Sequence, residues 1–157
     1  MDLRSASICH YPINRVSGSP LAGLCVLVID DNEETREGLL ALLTYQGVDV
    51  LLAASGQEGL ELIEELGPRH MPDVLICDIA MPDQDGYATL SRIREWEAKN
   101  DVSVPIPAVA FTASALRQEK LKSASYGFNA LVTKPLVPER LYSVLAEMAR
   151  LRRTLMR

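Results

Sequence analysis

The chain has 157 residues, of which 48% are apolar and 24% are charged, and its formal net charge is −5. This length suffices for one domain with a core of its own, and the apolar content is ordinary for a globular protein. The last eight residues contain four arginines and no acid, so residues 23–149 carry the negative charge, which argues against nucleic-acid binding there and favours a cation or a basic partner.

Short apolar runs alternate with segments of helical periodicity after residue 24. The runs have the length of buried strands, and the segments between them repeat apolar residues every three to four positions. Five such β-α units predict a doubly wound α/β fold with a parallel sheet. In chain order, the strands are predicted at 25–29, 48–53, 74–77, 108–111 and 130–132, and the helices at 33–46, between Ser55 and Gly67, at 87–99, at 116–126 and from Pro138 onward.

The two ends of the chain differ from this pattern. Residues 1–22 contain Pro12 and Pro20 and have no hydrophobic period, so we predict a tail or linker there. Residues 23–150 are predicted to form one domain. Residues 151–157 are predicted to extend the last helix, and their arginines complement the helix macrodipole better than they suggest a nucleic-acid or lipid site.

The composition also bears on location. No apolar run approaches the ~20 residues of a membrane span, and the N-terminal segment has no signal-peptide core because His10 and Pro12 interrupt it. The three cysteines, Cys9, Cys25 and Cys77, are odd in number and show no zinc spacing. We expect buried thiols in a reducing, cytoplasmic compartment.

Polar residues close four of the predicted strands. Asp30 and Asp31 follow the first strand, Asp78 the third, Thr112 the fourth and Lys134 the fifth. The carboxyl ends of parallel strands form the ligand crevice of an open α/β sheet, so these side chains are expected to converge. Three carboxylates, a hydroxyl and an ammonium suit a divalent cation together with a transferable phosphoryl group.

Each of these residues also has a simpler interpretation. An aspartate after a strand can cap the next helix, a strand-final threonine follows β propensity, and a lysine is usually a solvated charge. Carboxylates 4 Å apart nevertheless repel by about 1 kcal/mol per pair in water and by about 4 kcal/mol at an effective dielectric of 20. We therefore predict Mg²⁺, with Mn²⁺ as an alternative, and a carboxylate beside it is a competent nucleophile toward phosphorus.

Four segments together resemble the receiver domain of two-component response regulators. The resemblance extends over residues 23–150 and implies a flavodoxin-like (βα)5 sandwich with strand order 2-1-3-4-5. Other stretches, such as 56–59 and 127–132, are similar to receivers attached to hybrid histidine kinases. The four segments are 28–32, 77–86, 111–113 and 133–135.

The resemblance implies that Asp78 accepts a phosphoryl group from a phosphohistidine of a histidine kinase or histidine phosphotransfer protein. It also implies that Asp31, Asp78 and the Ala80 carbonyl ligate Mg²⁺, with Asp30 assisting through water. The chain would then be a single-domain regulator or the receiver domain of a hybrid kinase. Its only catalysis would be its own phosphorylation and dephosphorylation.

The phosphoryl oxygens are implied to be held by Lys134 and Thr112, with Ala113 and Ala80 beside them. The Lys134-Pro135 peptide bond is implied to be cis.

The switch of this family couples the threonine to an aromatic residue three positions before the lysine. Here that residue is Leu131, so Thr112 and Leu131 form a switch pair without a polar ring. The positions two after Asp78 and two after Thr112, which tune water access in the family, are Ala80 and Ser114. Neither is expected to orient water strongly.

The output surface implied by the resemblance comprises the fourth helix, the fifth strand and the last helix. We expect it to change its affinity for a downstream protein partner, and a homodimer is left open. No nucleic-acid or membrane partner is predicted.

Three other functions fit the sequence less well. An aspartyl-phosphate phosphatase would need Asp-x-Asp after a strand, whereas Asp83 and Asp85 follow Met81-Pro82. A dinucleotide-binding domain would need a glycine-rich first loop instead of acids. A receiver that acts only as a phosphorylation-independent interaction module is disfavoured by the complete Asp, Thr and Lys set.

Overall fold

In the computed structural model, which describes residues 18–82, 84–114 and 116–156, five strands alternate with five helices. All five strands are parallel and form one sheet in the order β2-β1-β3-β4-β5. The predicted fold class and strand order are thus confirmed. The elements are β1 (Cys25–Ile29), α1 (Glu33–Tyr45), β2 (Asp49–Ala53), α2 (Gly56–Leu66), β3 (Val74–Asp78), α3 (Gly86–Lys99), β4 (Ala108–Thr112), α4 (Arg117–Ser125), β5 (Ala130–Thr133) and α5 (Pro138–Leu155).

Element ends differ from the predicted ones by one or two residues. The clearest difference is that Asp78 and Thr112 belong to their strands, because the ladder continues through them. Asp78 is in register with Phe111, and Thr112 with Thr133. Both polar residues are therefore positioned by sheet hydrogen bonding.

The sheet is buried on both faces because its side chains alternate. In β1, β2 and β3, one set of residues packs with α2 and α3, and the other set packs with α1 and α5. Alternation follows from the period of two in a β-strand, and the apolar residues on both sides explain the continuous apolar runs. The first set is Leu27, Ile29, Leu51, Leu75 and Cys77, and the second is Val26, Val28, Val50, Val74 and Ile76.

Side chains fix the starts of three helices. The Asn32 side chain accepts a hydrogen bond from the Thr35 backbone N–H at 2.9 Å, and that of Asp85 accepts one from Ala88 at 2.8 Å. Ser55 accepts one from the Glu58 N–H, as the predicted capping box requires, but the Glu58 carboxylate accepts from the Ala54 N–H, one residue before the cap, instead of from Ser55. In contrast, Leu116 precedes α4 without a side-chain cap.

The segment before β1 packs against the domain. Leu21 is fully buried in the core that α1 and α5 cover. The Gly23 N–H donates to the Gly47 carbonyl at 3.0 Å, and the Ser19 hydroxyl donates to the Gln46 side chain at 2.7 Å. Residues 18–22 thus contribute to the core, while the domain boundaries at 23 and 150 stay a prediction.

Two further expectations concern burial. Cys25 and Cys77 are buried, as their apolar runs predicted, and Cys9 lies outside the described residues. Within residues 18–82, 84–114 and 116–156, no helix combines the length and the apolarity that a membrane crossing requires.

Candidate functional site

The predicted site residues meet at the carboxyl edge of the sheet. Asp30 follows β1, Asp78 ends β3, Thr112 ends β4 and Lys134 follows β5. Since β1, β3, β4 and β5 are successive neighbours in the sheet, their ends lie side by side. The strand order therefore brings together residues that are up to about a hundred positions apart in sequence.

Three carboxylates form the centre of the site. One oxygen from each of Asp30, Asp31 and Asp78 lies within 4.8 Å of the others. Asp30 and Asp78 are only 1% and 4% exposed, whereas Asp31 is exposed at the mouth of the crevice. Two of the three charges are thus removed from water, where a shared cation would stabilise them most.

Asp30 has one carboxylate oxygen satisfied and one open. Its Oδ1 accepts a hydrogen bond from the Asn32 N–H at 2.9 Å. Its buried Oδ2 has no hydrogen-bond partner among the residues described, and the Lys134 ammonium lies 3.5 Å away. A buried oxygen in this state favours an additional positive ligand.

Lys134 bridges the two buried acids. Its Nζ lies 3.5 Å from Asp30 Oδ2 and 3.6 Å from Asp78 Oδ2, and 4.9 Å from the centre of the Phe111 ring. The Lys134-Pro135 peptide bond is cis, as the resemblance implied. The Lys134 N–H continues the ladder by donating to the Thr112 carbonyl at 2.8 Å.

The environment of Asp78 opposes its ionisation. Burial raises the pKa of the Asp78 carboxyl above its ordinary value, and the nearby Asp30 carboxylate raises it further. The Lys134 ammonium and the Ala80 N–H, which lies 3.1 Å from Asp78 Oδ1, act in the opposite direction on this pKa. Any added cation would shift the same balance toward the carboxylate.

The loop after β3 folds back over the strand end. The Gly86 N–H donates to the Ile79 carbonyl at 2.9 Å, which closes the loop. A Cβ at position 86 would lie 2.5 Å from the Asp78 carbonyl oxygen and 2.8 Å from the Ile79 Cα, so only glycine fits. Ala80, at the exposed turn of this loop, is placed with its backbone beside the acids.

Thr112 ends β4, the sheet neighbour of the strand β3 that ends at Asp78. It is 6% exposed, and its Oγ1 accepts a hydrogen bond from the Ser114 N–H at 3.2 Å. Its own O–H donates to no atom of the described residues, so it can serve an incoming oxygen. Ala113, between the two, is exposed, which leaves its backbone accessible.

Leu131 packs partly buried against the core that faces α2 and α3. It lies opposite Ala110 in the register of β4 and β5, two residues before the site threonine. Its side chain has no polar atom, so no hydrogen bond can link it to Thr112.

Sequence reasoning missed Arg36. Its Nη1 donates to the Asp30 carbonyl at 2.8 Å, which braces the backbone between the first two acids. A signal existed, because Arg36 lies four residues after the cap Asn32 and therefore on the same side of α1.

Asp85, one of the two acids of the phosphatase alternative, does not extend the site. Asp85 caps α3 through the Ala88 N–H, and Asp83 lies outside the described residues.

Comparison with curated proteins finds relatives of several lengths. The chain is 36% identical over 118 residues to an uncharacterized 14.6 kDa protein of Leptolyngbya boryana, covering 75% of this chain and 84% of that one. It is 38% identical over 128 residues to the transcriptional regulatory protein PhoP of Escherichia coli K12, covering 82% and 52%. It is 34% identical over 131 residues to hybrid signal transduction histidine kinase I of Dictyostelium discoideum, covering 83% of this chain and 7% of the kinase.

Solved structures show the same architecture. The chemotaxis protein CheY4 of Vibrio cholerae is 25% identical and matches with a TM-score of 0.69, over 81% of this chain and 99% of its own. A response regulator receiver domain from Clostridium thermocellum matches with a TM-score of 0.73 over 84% and 98%, and at 23% identity it supports the fold alone.

The profile of the response regulator receiver domain matches residues 26–146, which include every predicted site residue. This agrees with the resemblance carried by the strand-end motifs. The chain therefore belongs to the response regulator receiver domain family, a family of phosphorelay signalling domains rather than classical enzymes.

Proposed function

We propose that Asp78 is the phosphoacceptor of this receiver and that the donor is a phosphohistidine of a histidine kinase or a histidine phosphotransfer protein. The observation that carries the proposal is the position of Lys134, whose ammonium lies within 3.6 Å of both buried carboxylates. A lysine at that place can neutralise the oxygens of a phosphoryl group that arrives between the acids.

The donor set fits Mg²⁺. Its atoms are carboxylate and carbonyl oxygens, which this hard cation prefers, and the open Oδ2 of buried Asp30 gains a positive neighbour. Asp31, Asp78 and the Ala80 carbonyl would ligate the ion, and Asp30 would act through water, with Mn²⁺ as a substitute. When bound, the ion neutralises charge on the acids and on the phosphoryl oxygens.

The transfer itself needs one nucleophile. An Asp78 carboxylate oxygen forms a bond to phosphorus as the bond from phosphorus to the donor imidazole nitrogen breaks, and that nitrogen keeps the electron pair. Lys134 faces the phosphoryl oxygens, the Thr112 O–H donates to one of them, and the backbone at Ala113 and Ala80 completes the enclosure. The same residues would support hydrolysis of the acyl phosphate. Neither Ala80 nor Ser114 has a side chain that would strongly orient the attacking water.

The output is proposed to be a change in the surface formed by α4, β5 and α5. Four large apolar side chains in α4, at its two ends and just before α5 are exposed, which suits a protein partner or a second copy of the chain. Because Leu131 has no ring tip, Thr112 and the loop after it would carry the signal to this surface. The exposed residues are Leu116 at 68%, Leu121 at 61%, Tyr126 at 46% and Val137 at 53%.

The proposal is tested by intact mass after incubation with Mg²⁺ and acetyl phosphate, with a parallel sample in chelator. We expect the mass of one phosphoryl group to be gained only with Mg²⁺, and peptide mapping to place it on the segment containing Asp78. A protein that binds Mg²⁺, is not modified by acetyl phosphate or by a phosphorylated phosphotransfer protein, and still binds its partner would be an interaction module instead.

A second prediction concerns the crowded acids. Asp30→Asn removes repulsion with Asp31 and Asp78 at the loss of one contact to Lys134, so we expect a more stable metal-free fold. A gain of about 1 kcal/mol would raise the Tm in chelator by about 2–4 °C. The further rise in Tm on adding Mg²⁺ should be smaller than in the wild type.

Asp101→Asn is the matched control for this prediction. It removes the same charge from an exposed position at the opposite edge of the sheet, and its positive φ of 54° is one that asparagine tolerates. If both variants shift the Tm in chelator equally, repulsion within the acid cluster is not the cause.

A further inference from the structure

Helix α4 is weakly embedded in the domain. Ser123 is its one buried residue, and Leu121 is 61% exposed on the opposite side. Its first turn follows Leu116, which provides no side-chain cap. A helix with so little burial needs contacts of another kind to keep its place.

Tyr87 provides such contacts. Its hydroxyl donates to the Glu119 carboxylate in the first turn of α4. Its ring centre lies 4.8 Å from that of Tyr126 and 4.6 Å from the Lys122 ammonium. Tyr87 itself is 5% exposed, and its ring also meets Phe128 at 6.1 Å. One residue of α3 thus contacts both ends of α4.

The backbone of Tyr87 is connected to the loop between β3 and α3, here called the phosphoacceptor loop. Tyr87 follows Gly86, whose N–H closes the loop onto the Ile79 carbonyl. Gly86 also has backbone atoms of Asp78 in close contact, as the blocked Cβ position shows. A shift of this loop therefore moves the first turn of α3, and with it the tyrosine.

The far end of α4 also has contacts that do not involve Tyr87. Gly127 follows the helix with φ of 104°, and its carbonyl accepts a hydrogen bond from Arg94 at 3.3 Å. The Phe128 N–H donates to the Ser123 carbonyl at 3.0 Å. The helix is accordingly held at its far end partly through backbone carbonyls and at its first turn through the side-chain contact of Glu119 with Tyr87.

We propose that Tyr87 is a positioning residue that latches α4 through Glu119 and releases it when the phosphoacceptor loop shifts. The latch takes the place of the aromatic coupling that Leu131 cannot provide. The inference that Tyr87 holds α4 depends only on the contacts described above. The inference that phosphorylation releases α4 rests on the proposed function of Asp78.

The holding is tested by hydrogen exchange of the α4 amides without phosphodonor. In Tyr87→Phe, which keeps the ring and removes the hydroxyl, α4 should exchange about tenfold faster, the order expected for one lost hydrogen bond to a charged group. Glu119→Ala should act alike, and the double variant should add nothing. Tyr142→Phe, which removes a hydroxyl 3.4 Å from the Leu42 carbonyl on α1, is the control and should leave α4 unchanged.

The release is tested by the same exchange after phosphorylation, together with the rate of phosphoryl uptake from acetyl phosphate. Wild-type α4 should approach the exchange rate of Tyr87→Phe, and that variant should be phosphorylated several-fold faster because its active arrangement is already populated.

Unchanged α4 exchange in Tyr87→Phe overturns the latch. Altered exchange with an unchanged uptake rate overturns the coupling, and a protein that takes up no phosphoryl group contradicts the role of Asp78 while the holding test still decides the latch.

Discussion

Replacing Asp78 by asparagine is expected to abolish phosphoryl uptake and to raise the free energy of unfolding in the absence of Mg²⁺. The amide cannot form the acyl phosphate. Among the other described carboxylates, only Asp30 is both buried in the crevice and paired with Lys134, and its Oδ1 already accepts a hydrogen bond from the Asn32 N–H. Removing one of the clustered charges should stabilise the metal-free fold by about 1 kcal/mol.

The stability gain of Asp78→Asn should depend on pH. Burial and Asp30 raise the pKa of Asp78 above 3.8, so the folded protein binds this proton at a higher pH than the unfolded chain does. The destabilisation by the charged form is then absent below 3.8, grows as pH rises through the raised pKa, and is complete above it. The difference in unfolding free energy between variant and wild type should follow that course.

Chemical denaturation across this pH range, together with intact mass, measures both effects. A stability difference that does not change with pH would mean that the Asp78 charge is not its source. Phosphoryl uptake retained by Asp78→Asn would mean that another residue is the phosphoacceptor.

Gly86→Ala is expected to lower the free energy of unfolding by about 2–3 kcal/mol, the upper part of the range for forcing an atom into a packed site. The added Cβ meets backbone rather than a flexible side chain, at 2.5 Å from the Asp78 carbonyl oxygen, so the loop itself must move. Because that loop positions Ala80 and Asp78, phosphoryl uptake should slow as well. Denaturant unfolding and timed intact-mass measurements would record the two effects.

Gly38→Ala is the matched control. Gly38 lies within α1, and a Cβ there has no neighbour within 4 Å. Alanine should stabilise the helix by roughly 0.5–1 kcal/mol and leave phosphoryl uptake unchanged. Equal behaviour of the two variants would show that the loop accommodates a side chain, against the geometry at Gly86.

The fold followed from the sequence because its strands are buried on both faces. A strand such as β1 is apolar at every position, which is the pattern expected of a parallel strand in a sheet with helices on both faces. Strand ends were less predictable. Asp78 and Thr112 looked like the first loop residues because they are polar, yet ladder pairing depends on backbone groups and continues through them.

The gathering of the site residues could also be predicted, since polar residues at the ends of parallel strands must share one edge. The contacts made by long side chains could not. Arg36 reaches the Asp30 carbonyl from a helix, and Tyr87 reaches Glu119 across 32 positions. No local pattern reports where such a side chain ends, because tertiary packing decides it.

Leu21 fixes the side of the domain on which the described segment before β1 lies. It is fully buried, and Gly23 is bonded to Gly47 just before β2, so the segment enters at the amino edge of the sheet. Asp78 lies at the other pole, about 16 Å away along a five-residue strand. Residues 18–23 thus lie on the side opposite the acidic crevice, and a bulky phosphodonor could dock at the crevice without displacing them.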